Sequence, residues 1–141
     1  MTAALHPYLN FRGNAREAFE FYGEALGGTP RFATFADFGA VPAGSEHADR
    51  IMHGALEVDD LIRLYVSDFI EGMAPGELVH GNDVTLALMG EADDEHRLTR
   101  IFEALSEGGE VSMPLGKQVW GGIYGAVTDR FGILWQVNIG G

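Results

Sequence analysis

The stretch WGGIYGAVTDRFGILWQVNI, residues 120–139, predicts a β-hairpin. Gly132 suits a turn position with positive φ, and Asp129 can accept hydrogen bonds from the backbone that follows it. Alternation along the two strands gives each one apolar face and one face of small or polar groups. The apolar face is predicted to hold Ile123, Gly125, Val127, Trp135, Val137 and Ile139.

An earlier stretch repeats this hairpin. HGAL at residues 53–56 matches YGAV at 124–127, an offset of 71 positions. The same offset places LYVS at 64–67 on WQVN at 135–138. One offset that fits two segments indicates an internal repeat, so we expect two related halves.

Length and composition restrict the class of protein. A chain of 141 residues suits one compact domain, or two half-size units. It has no cysteine, which excludes disulfides and thiolate metal sites. No apolar run approaches the ~20 residues that span a bilayer. Residues 1–6 lack the basic and apolar regions of a secretion signal, so we expect a cytoplasmic protein with no membrane partner.

The chain is strongly acidic, with a formal net charge of −12. Proteins that bind nucleic acid generally need basic surface to neutralise phosphates. The charge therefore predicts no nucleic-acid partner, and solubility is a sufficient reason for it.

Both halves have the pattern of a βαβββ module. We predict an α+β protein consisting of a single domain, residues 1–141, with a first module at 5–68 and a second at 82–140. The first helix is predicted to start at Asn14, with Glu17 completing a capping box, and to end at Gly27. The predicted strands cover residues 7–11, 31–38, 51–58, 61–67, 84–88 and 111–115, followed by the hairpin.

The two helices have matching apolar stripes. The predicted stripes hold Ala15, Ala18, Phe19, Tyr22, Ala25 and Leu26 in the first helix, and Leu98, Ile101, Phe102 and Leu105 in the second. The first half carries about ten additional residues, Gly39 to Asp49, between its helix and its third strand. This loop is either a lid or partner-binding arm, or a floppy insertion.

In a four-stranded sheet with one helix on its apolar face, the opposite face is available to line a cleft. Alternation predicts the side chains there. They are Tyr8, Asn10, His53, Ala55, Glu57, Tyr65, Ser67, Thr85, Tyr124, Ala126, Thr128, Gln136 and Asn138. Mixed aromatic and polar groups of this kind are typical of a small-molecule site.

The combination of PYLNF, MHGAL, EGGEVSMPL and DRFGILWQVN resembles the PhnB-like branch of the vicinal oxygen chelate superfamily. That superfamily includes glyoxalase I, extradiol dioxygenases, and bleomycin and fosfomycin resistance proteins. The resemblance covers nearly the whole chain. It implies paired βαβββ modules, a homodimer, and a cleft that holds a divalent metal in the enzyme members.

The resemblance also implies where metal ligands would lie. The glutamate position of the family's final strand falls on Gln136, and the internal offset carries it to Tyr65. The ligand position on the first strand falls at Pro7, beside His6. Neither glutamate position holds a carboxylate, so we predict no metal or other cofactor, with a divalent ion as the alternative.

His53 is the candidate catalytic residue, as a general base, a ligand or a satisfied structural group. Glu57 shares its predicted face but lies about 13 Å away along an extended strand. Trp120 and Tyr124 can stack on a flat ligand, or Trp120 can fill a dimer interface. The predicted ligand-binding residues are Tyr8, Asn10, His53, Tyr65, Ser67, Trp120, Tyr124 and Gln136.

Three functions are compatible with these residues. The first is metal-independent binding of a small organic ligand, as in resistance or sequestration proteins. The second is a metal-dependent lyase, isomerase or dioxygenase with an atypical ligand set. The third is a protein-interaction module that uses the Gly39–Asp49 loop. The scaffold serves unrelated reactions in this superfamily, so it does not name the substrate.

Overall fold

A computed structural model of the chain describes residues 3–140. Over this range the chain forms two four-stranded mixed sheets, and one α-helix packs on each. The predicted α+β class with two βαβββ modules is confirmed. The two compact units divide between Val79 and His80. The first two residues and the last residue of the predicted 1–141 domain lie outside the described range.

The first unit has the strand order β1-β4-β3-β2. Its elements are β1 Tyr8–Phe11, α1 Ala15–Leu26, β2 Arg31–Thr34, β3 Ile51–Glu57 and β4 Arg63–Asp68. β1 runs parallel to β4, whereas β3 pairs antiparallel with both β2 and β4. The parallel pair is possible because α1 lies in the connection between β1 and the rest of the sheet.

The second unit has the equivalent strand order β5-β8-β7-β6. Its elements are β5 Leu86–Gly90, a short 3-10 helix Ala92–Asp94, α2 Glu95–Ser106, β6 Glu110–Lys117, β7 Ile123–Thr128 and β8 Leu134–Ile139. β5 is parallel to β8, and β7 pairs antiparallel with β6 and β8. No helix within residues 3–140 combines the length and the apolar character needed to cross a bilayer.

The strand register confirms the internal repeat. Gly54 pairs with Val66 in the first hairpin, and Gly125 pairs with Val137 in the second. Each residue of the second pair lies 71 positions after its counterpart in the first. The next three pairs along each hairpin obey the same offset. The repeat is therefore one of backbone pairing as well as of residue type.

The predicted turn of the second hairpin is also confirmed. Gly132 has φ 89°, and its N–H donates to the carbonyl of Asp129 at 3.0 Å. The Oδ1 atom of Asp129 accepts from the N–H groups of Phe131 and Ile133 at 2.8 and 3.1 Å. Its Oδ2 accepts from Nε1 of Trp135 at 2.8 Å. One buried carboxylate thus fixes the turn and the indole that follows it.

The start of α1 differs from the prediction. Asn14 occupies the N-cap position but makes no side-chain capping hydrogen bond. The cap is supplied by Asp68 on β4, whose Oδ1 accepts from the N–H groups of Gly13 and Ala15 at 2.8 and 3.0 Å. The capping box predicted with Glu17 is wrong, because the buried carboxylate of Asp68 accepts the hydrogen bonds at the start of the helix instead.

The helix stripes pack as predicted. Ala15, Ala18, Phe19 and Tyr22 in α1 are 0% exposed, and Ala25 lies at the margin of the stripe. All four predicted stripe residues of α2 are at most 5% exposed. Each helix therefore covers one face of its own sheet with its apolar side.

The predicted strand over residues 31–38 is too long. β2 ends at Thr34, where the chain turns. The N–H of Thr34 donates to Oδ2 of Asp37 at 2.9 Å, and the N–H of Asp37 donates to Oγ1 of Thr34 at 3.0 Å. This reciprocal pair offers the backbone an alternative to the sheet ladder and ends the strand.

The Gly39–Asp49 loop continues from this turn. Two backbone hydrogen bonds hold its base: Phe35 N–H donates to the carbonyl of Arg50 at 3.0 Å, and Ala36 N–H to that of Ala48 at 3.2 Å. Ala48 is buried at 3% exposure. The loop is therefore anchored to the β2–β3 hairpin by its backbone.

Candidate functional site

The sheet face opposite α1 carries the predicted ligand-binding residues of the first unit. Tyr8, Asn10 and His53 are exposed there, and Tyr65 and Ser67 are half-buried. The residues that alternate with them, Leu56, Leu64 and Val66, are at most 4% exposed. The parity predicted from the sequence therefore describes this face correctly. Ala55 shares the parity but is covered by its neighbours, at 5% exposure.

Three rings come together on this face, one each from the neighbouring strands β1, β4 and β3. The ring centroids of Tyr8, His53 and Tyr65 form a nearly equilateral triangle with sides of 5.9, 6.1 and 6.3 Å. The plane of Tyr65 lies within 23° of both other planes. Register explains the proximity, because Tyr8 and Tyr65 are direct partners in the β1–β4 pair. We call these three side chains the ring cluster.

A hydrogen bond joins two members of the ring cluster. The Tyr8 hydroxyl lies 3.2 Å from Nδ1 of His53. Burial raises the pKa of the Tyr8 phenol, so the hydroxyl keeps its proton near neutral pH. The phenol can donate to an unprotonated Nδ1, an arrangement that leaves the ring proton on Nε2. Tyr8 is thereby able to fix the tautomer of the candidate histidine.

His6 joins the ring cluster at its edge. Its ring centroid lies 5.5 Å from that of Tyr65, with the planes tilted by 55°. The backbone explains its position, because the N–H of Tyr65 donates to the carbonyl of Pro7 and extends the parallel pairing. Sequence reasoning considered His6 only as a neighbour of a metal-ligand position. His6 lies two residues before β1, and the parallel pairing of β1 with β4 explains this contact.

Charged side chains occupy one end of the same face. Glu57 forms ion pairs with Arg31 and with Arg63, the latter at 3.8 Å. Arg63 also pairs with Asp60 at 3.2 Å. The two positive and two negative groups compensate one another. Glu57 is therefore a member of a salt-bridge network, and its carboxylate is engaged away from the ring cluster.

The side chains at the implied metal positions do not suit a hard divalent cation. Tyr65 packs its ring in the ring cluster, and the Oε1 of Gln136 accepts from Nδ2 of Asn138 at 3.3 Å. Within residues 3–140, no three His, Asp or Glu side chains come together as a possible metal site. Such a cation prefers several carboxylate or imidazole ligands in one place. The predicted absence of a metal stays a prediction.

The buried carboxylates serve the fold. Asp68 and Asp129 are each 3% exposed. The Oδ2 of Asp68 accepts from the N–H of Ile51 at 2.9 Å, in addition to the two capping bonds of its Oδ1. Asp129 is bound by its own turn and by Trp135. Both groups are satisfied by hydrogen bonds to the protein, which removes them from the possible metal ligands.

In the second unit, Tyr124 and Gln136 lie on the equivalent face of the sheet, and Trp120 lies in the turn between β6 and β7. Trp120 and Tyr124 contact edge to face, with centroids 6.3 Å apart and planes at 65°. Trp120 is 59% exposed. Gly122 is required beside it, because a Cβ there would lie 3.0 Å from Nε1 of Trp120 and 2.9 Å from the carbonyl of Gly140. Gln136 lies two strand positions from Asn138, its hydrogen-bond partner.

The chain matches a known protein family over nearly its whole length. The family model described as Glyoxalase/Bleomycin resistance protein/Dioxygenase superfamily matches residues 4–137. The chain belongs to this superfamily. The resemblance inferred from the sequence motifs is confirmed at that level.

Individual relatives cover almost the whole chain. The protein YjdN of Escherichia coli is 27% identical over 96% of this chain and 94% of its own length. The crystal structure of protein PA1353 from Pseudomonas aeruginosa is 39% identical, with a TM-score of 0.77 and coverage of 99% and 98%.

A PhnB protein from Bacillus cereus shares the fold, with a TM-score of 0.71, 16% identity and coverage of 97% and 99%. It is described as a putative 3-demethylubiquinone-9 3-methyltransferase. At this identity the likeness shows the fold alone. The shared fold does not carry a function over to the present chain, whose chemistry depends on its own side chains.

Proposed function

We propose that this superfamily member binds a small organic ligand without a metal, on the face that carries the ring cluster. The observation that supports the proposal best is the position of Tyr65. It falls where the resemblance implies a metal-binding glutamate, yet its ring packs against three other rings. An aromatic ring, and no carboxylate, therefore stands at this position.

The surroundings of the ring cluster suit binding. Tyr8 is 50% exposed, so its ring is accessible, and Asn10 and Ser67 place polar groups beside it on the same face. Small-molecule sites typically combine apolar rings with a few fixed polar groups. Of the predicted ligand-binding residues, Tyr8, Asn10, His53, Tyr65 and Ser67 belong to this proposal, whereas Trp120, Tyr124 and Gln136 belong to the second unit and stay predictions.

The alternative is a metal-dependent lyase, isomerase or dioxygenase of the glyoxalase type. Two imidazoles favour it, because His6 and His53 each lie within 6 Å, centroid to centroid, of Tyr65. Neutral imidazole binds zinc, copper and nickel well. In that reading His53 would be a ligand or a general base.

Metal content separates the two proposals. Purified protein would be analysed for bound metals, and its thermal unfolding would be measured with a chelator and with added Zn²⁺ or Mn²⁺. Metal-independent binding predicts less than stoichiometric metal and an unchanged unfolding temperature. A stoichiometric ion whose removal lowers the unfolding temperature would support the alternative.

We further propose a cytoplasmic homodimer. The edge strand β6 supports the dimer, because it exposes Val111 and Met113 at 41% and 43%. Exposed apolar side chains on an unpaired strand edge favour association. Sedimentation velocity tests this directly. Val111→Lys is expected to shift the protein toward monomer, whereas Ser112→Lys is the matched control.

A further inference from the structure

We infer that the ligand of the ring cluster is a planar aromatic ring system that carries no negative charge. This inference rests on the proposed function, because it assumes that the face binds a ligand. It goes further by naming the chemistry that the side chains recognise.

The geometry of the ring cluster favours a flat ligand. Aromatic pairs are most favourable with centroids 4.5–7 Å apart in offset-stacked or edge-to-face arrangements. The three centroid distances of the cluster, 5.9 to 6.3 Å, lie inside that range. The Tyr8 ring, half exposed, presents π-surface beside the nearly parallel Tyr65 ring. A planar ring can stack there, whereas a puckered saturated ring of the same size makes fewer contacts.

The hydrogen bond within the cluster also restricts the ligand. The Tyr8 hydroxyl and Nδ1 of His53 already satisfy one another at 3.2 Å. A ligand that stacks on the rings leaves this bond intact. A ligand that needs both groups as partners would have to break it and compensate its loss.

Charge argues against an anion. The salt bridges of Glu57 with Arg31 and Arg63, and of Arg63 with Asp60, compensate both guanidinium groups. An anionic ligand would have to compete with these carboxylates for the same cations. The whole chain carries a formal charge of −12, which repels anions at long range. A neutral ring neither competes with these carboxylates nor is repelled by the charge of the chain.

The test uses three probes built on the same fused two-ring skeleton: 2-naphthol, its saturated counterpart 2-decalol, and the anion 2-naphthoate. Binding to the full chain would be followed near neutral pH by two-dimensional NMR, with assigned signals of Gly54, His53 and Tyr65. We expect 2-naphthol to bind about tenfold more tightly than 2-decalol, since one or two aromatic ring contacts contribute about a factor of ten. We also expect it to bind more tightly than 2-naphthoate, because the negative charge of the chain repels the anion.

Two variants test whether 2-naphthol binds at the ring cluster. Tyr65→Leu removes the central ring but keeps an apolar side chain, and we expect it to reduce 2-naphthol binding about tenfold while 2-decalol is unaffected. The matched control is Phe21→Leu on α1, which removes a half-exposed ring from the other side of the same sheet. Thermal unfolding of both variants would be measured to verify that they are folded.

Each outcome decides a different point. Equal affinity for 2-naphthol and 2-decalol, or binding of 2-naphthoate at least as tight as that of 2-naphthol, would overturn the inference about ligand class while leaving the binding function intact. If Tyr65→Leu and Phe21→Leu lose the same affinity for 2-naphthol, the ring cluster is not where the ligand binds. If none of the three probes perturbs these signals in the metal-free protein, and all bind once Zn²⁺ is added, the proposed function itself fails.

Discussion

Asp68 caps a helix that begins 53 positions before it: its Oδ1 accepts a hydrogen bond from the N–H of Ala15 at 3.0 Å. The same oxygen accepts from Gly13, and its Oδ2 accepts from Ile51. One buried carboxylate on β4 thus joins the start of α1 to the start of β3. Because β4 also carries Tyr65 and Ser67, this contact fixes the sheet that presents the ring cluster.

Removal of this carboxylate is expected to be costly. Asp68→Ala leaves three backbone N–H groups without their acceptor, and we predict a loss of about 3 kcal/mol in the free energy of unfolding. Urea unfolding would measure it. Asp68→Asn keeps one acceptor oxygen and should lose about half as much. The exposed Asp49→Ala is the control, and an equal effect of Asp49→Ala and Asp68→Ala would contradict the capping role.

The second unit depends on a comparable bond between Asp129 and Trp135. Trp135 is 2% exposed, and its Nε1 donates to Oδ2 of Asp129 at 2.8 Å. Trp135→Phe keeps a buried ring but removes the donor, so we predict a loss of about 2 kcal/mol in unfolding free energy. Asp129→Ala should cost more, because the turn N–H groups of Phe131 and Ile133 lose their acceptor as well. A larger effect of Trp135→Phe than of Asp129→Ala would contradict this assignment.

Two glycines of the second unit provide a packing test. A Cβ at Gly109 would lie 2.4 Å from the carbonyl oxygen of Thr128, a backbone atom that cannot move aside cheaply. At Gly116 the nearest atom would be 3.9 Å away. Gly109→Ala is expected to destabilise the protein by roughly 2 kcal/mol or more, and Gly116→Ala by less than about 0.5 kcal/mol. Thermal unfolding of both variants measures the difference, and similar unfolding temperatures would refute the close approach.

The Tyr8 phenol makes stability depend on pH in the alkaline range. Burial raises its pKa above the ordinary value of 10.0, so the folded state holds this proton more tightly than the unfolded state. The contribution is fully present below pH 10 and is lost as the pH rises through the raised pKa. Tyr8→Phe cannot ionise. The variant should therefore lose less stability than the wild type above pH 10, and parallel curves of unfolding free energy against pH would contradict the prediction.

The backbone architecture followed from local patterns. The turn at Asp129 and Gly132, the apolar faces of the strands and the helix stripes all depend on residues close in sequence. The offset of 71 positions then related the two hairpins, and the observed register obeys it. Alternation also assigned the ring-cluster residues to one face, because parity along a strand requires no knowledge of its neighbours.

Contacts between distant side chains could not be predicted in the same way. Asn14 and Glu17 have the sequence pattern of a capping box, but Asp68 takes the role because β4 lies beside the start of α1. Glu57 shares a face with His53 and yet is engaged by Arg31 and Arg63. These contacts depend on which side chains the fold brings close together, and a local sequence pattern contains no information about that.

The central claim is that the ring cluster binds its ligand without a metal. The most direct test is the dissociation constant of 2-naphthol, read from the NMR signals of Tyr65 and His53, in a chelator and again with Mg²⁺ or Zn²⁺ in excess. The account predicts the same constant under all conditions. Binding at these residues that disappears in the chelator and returns with the metal would contradict it.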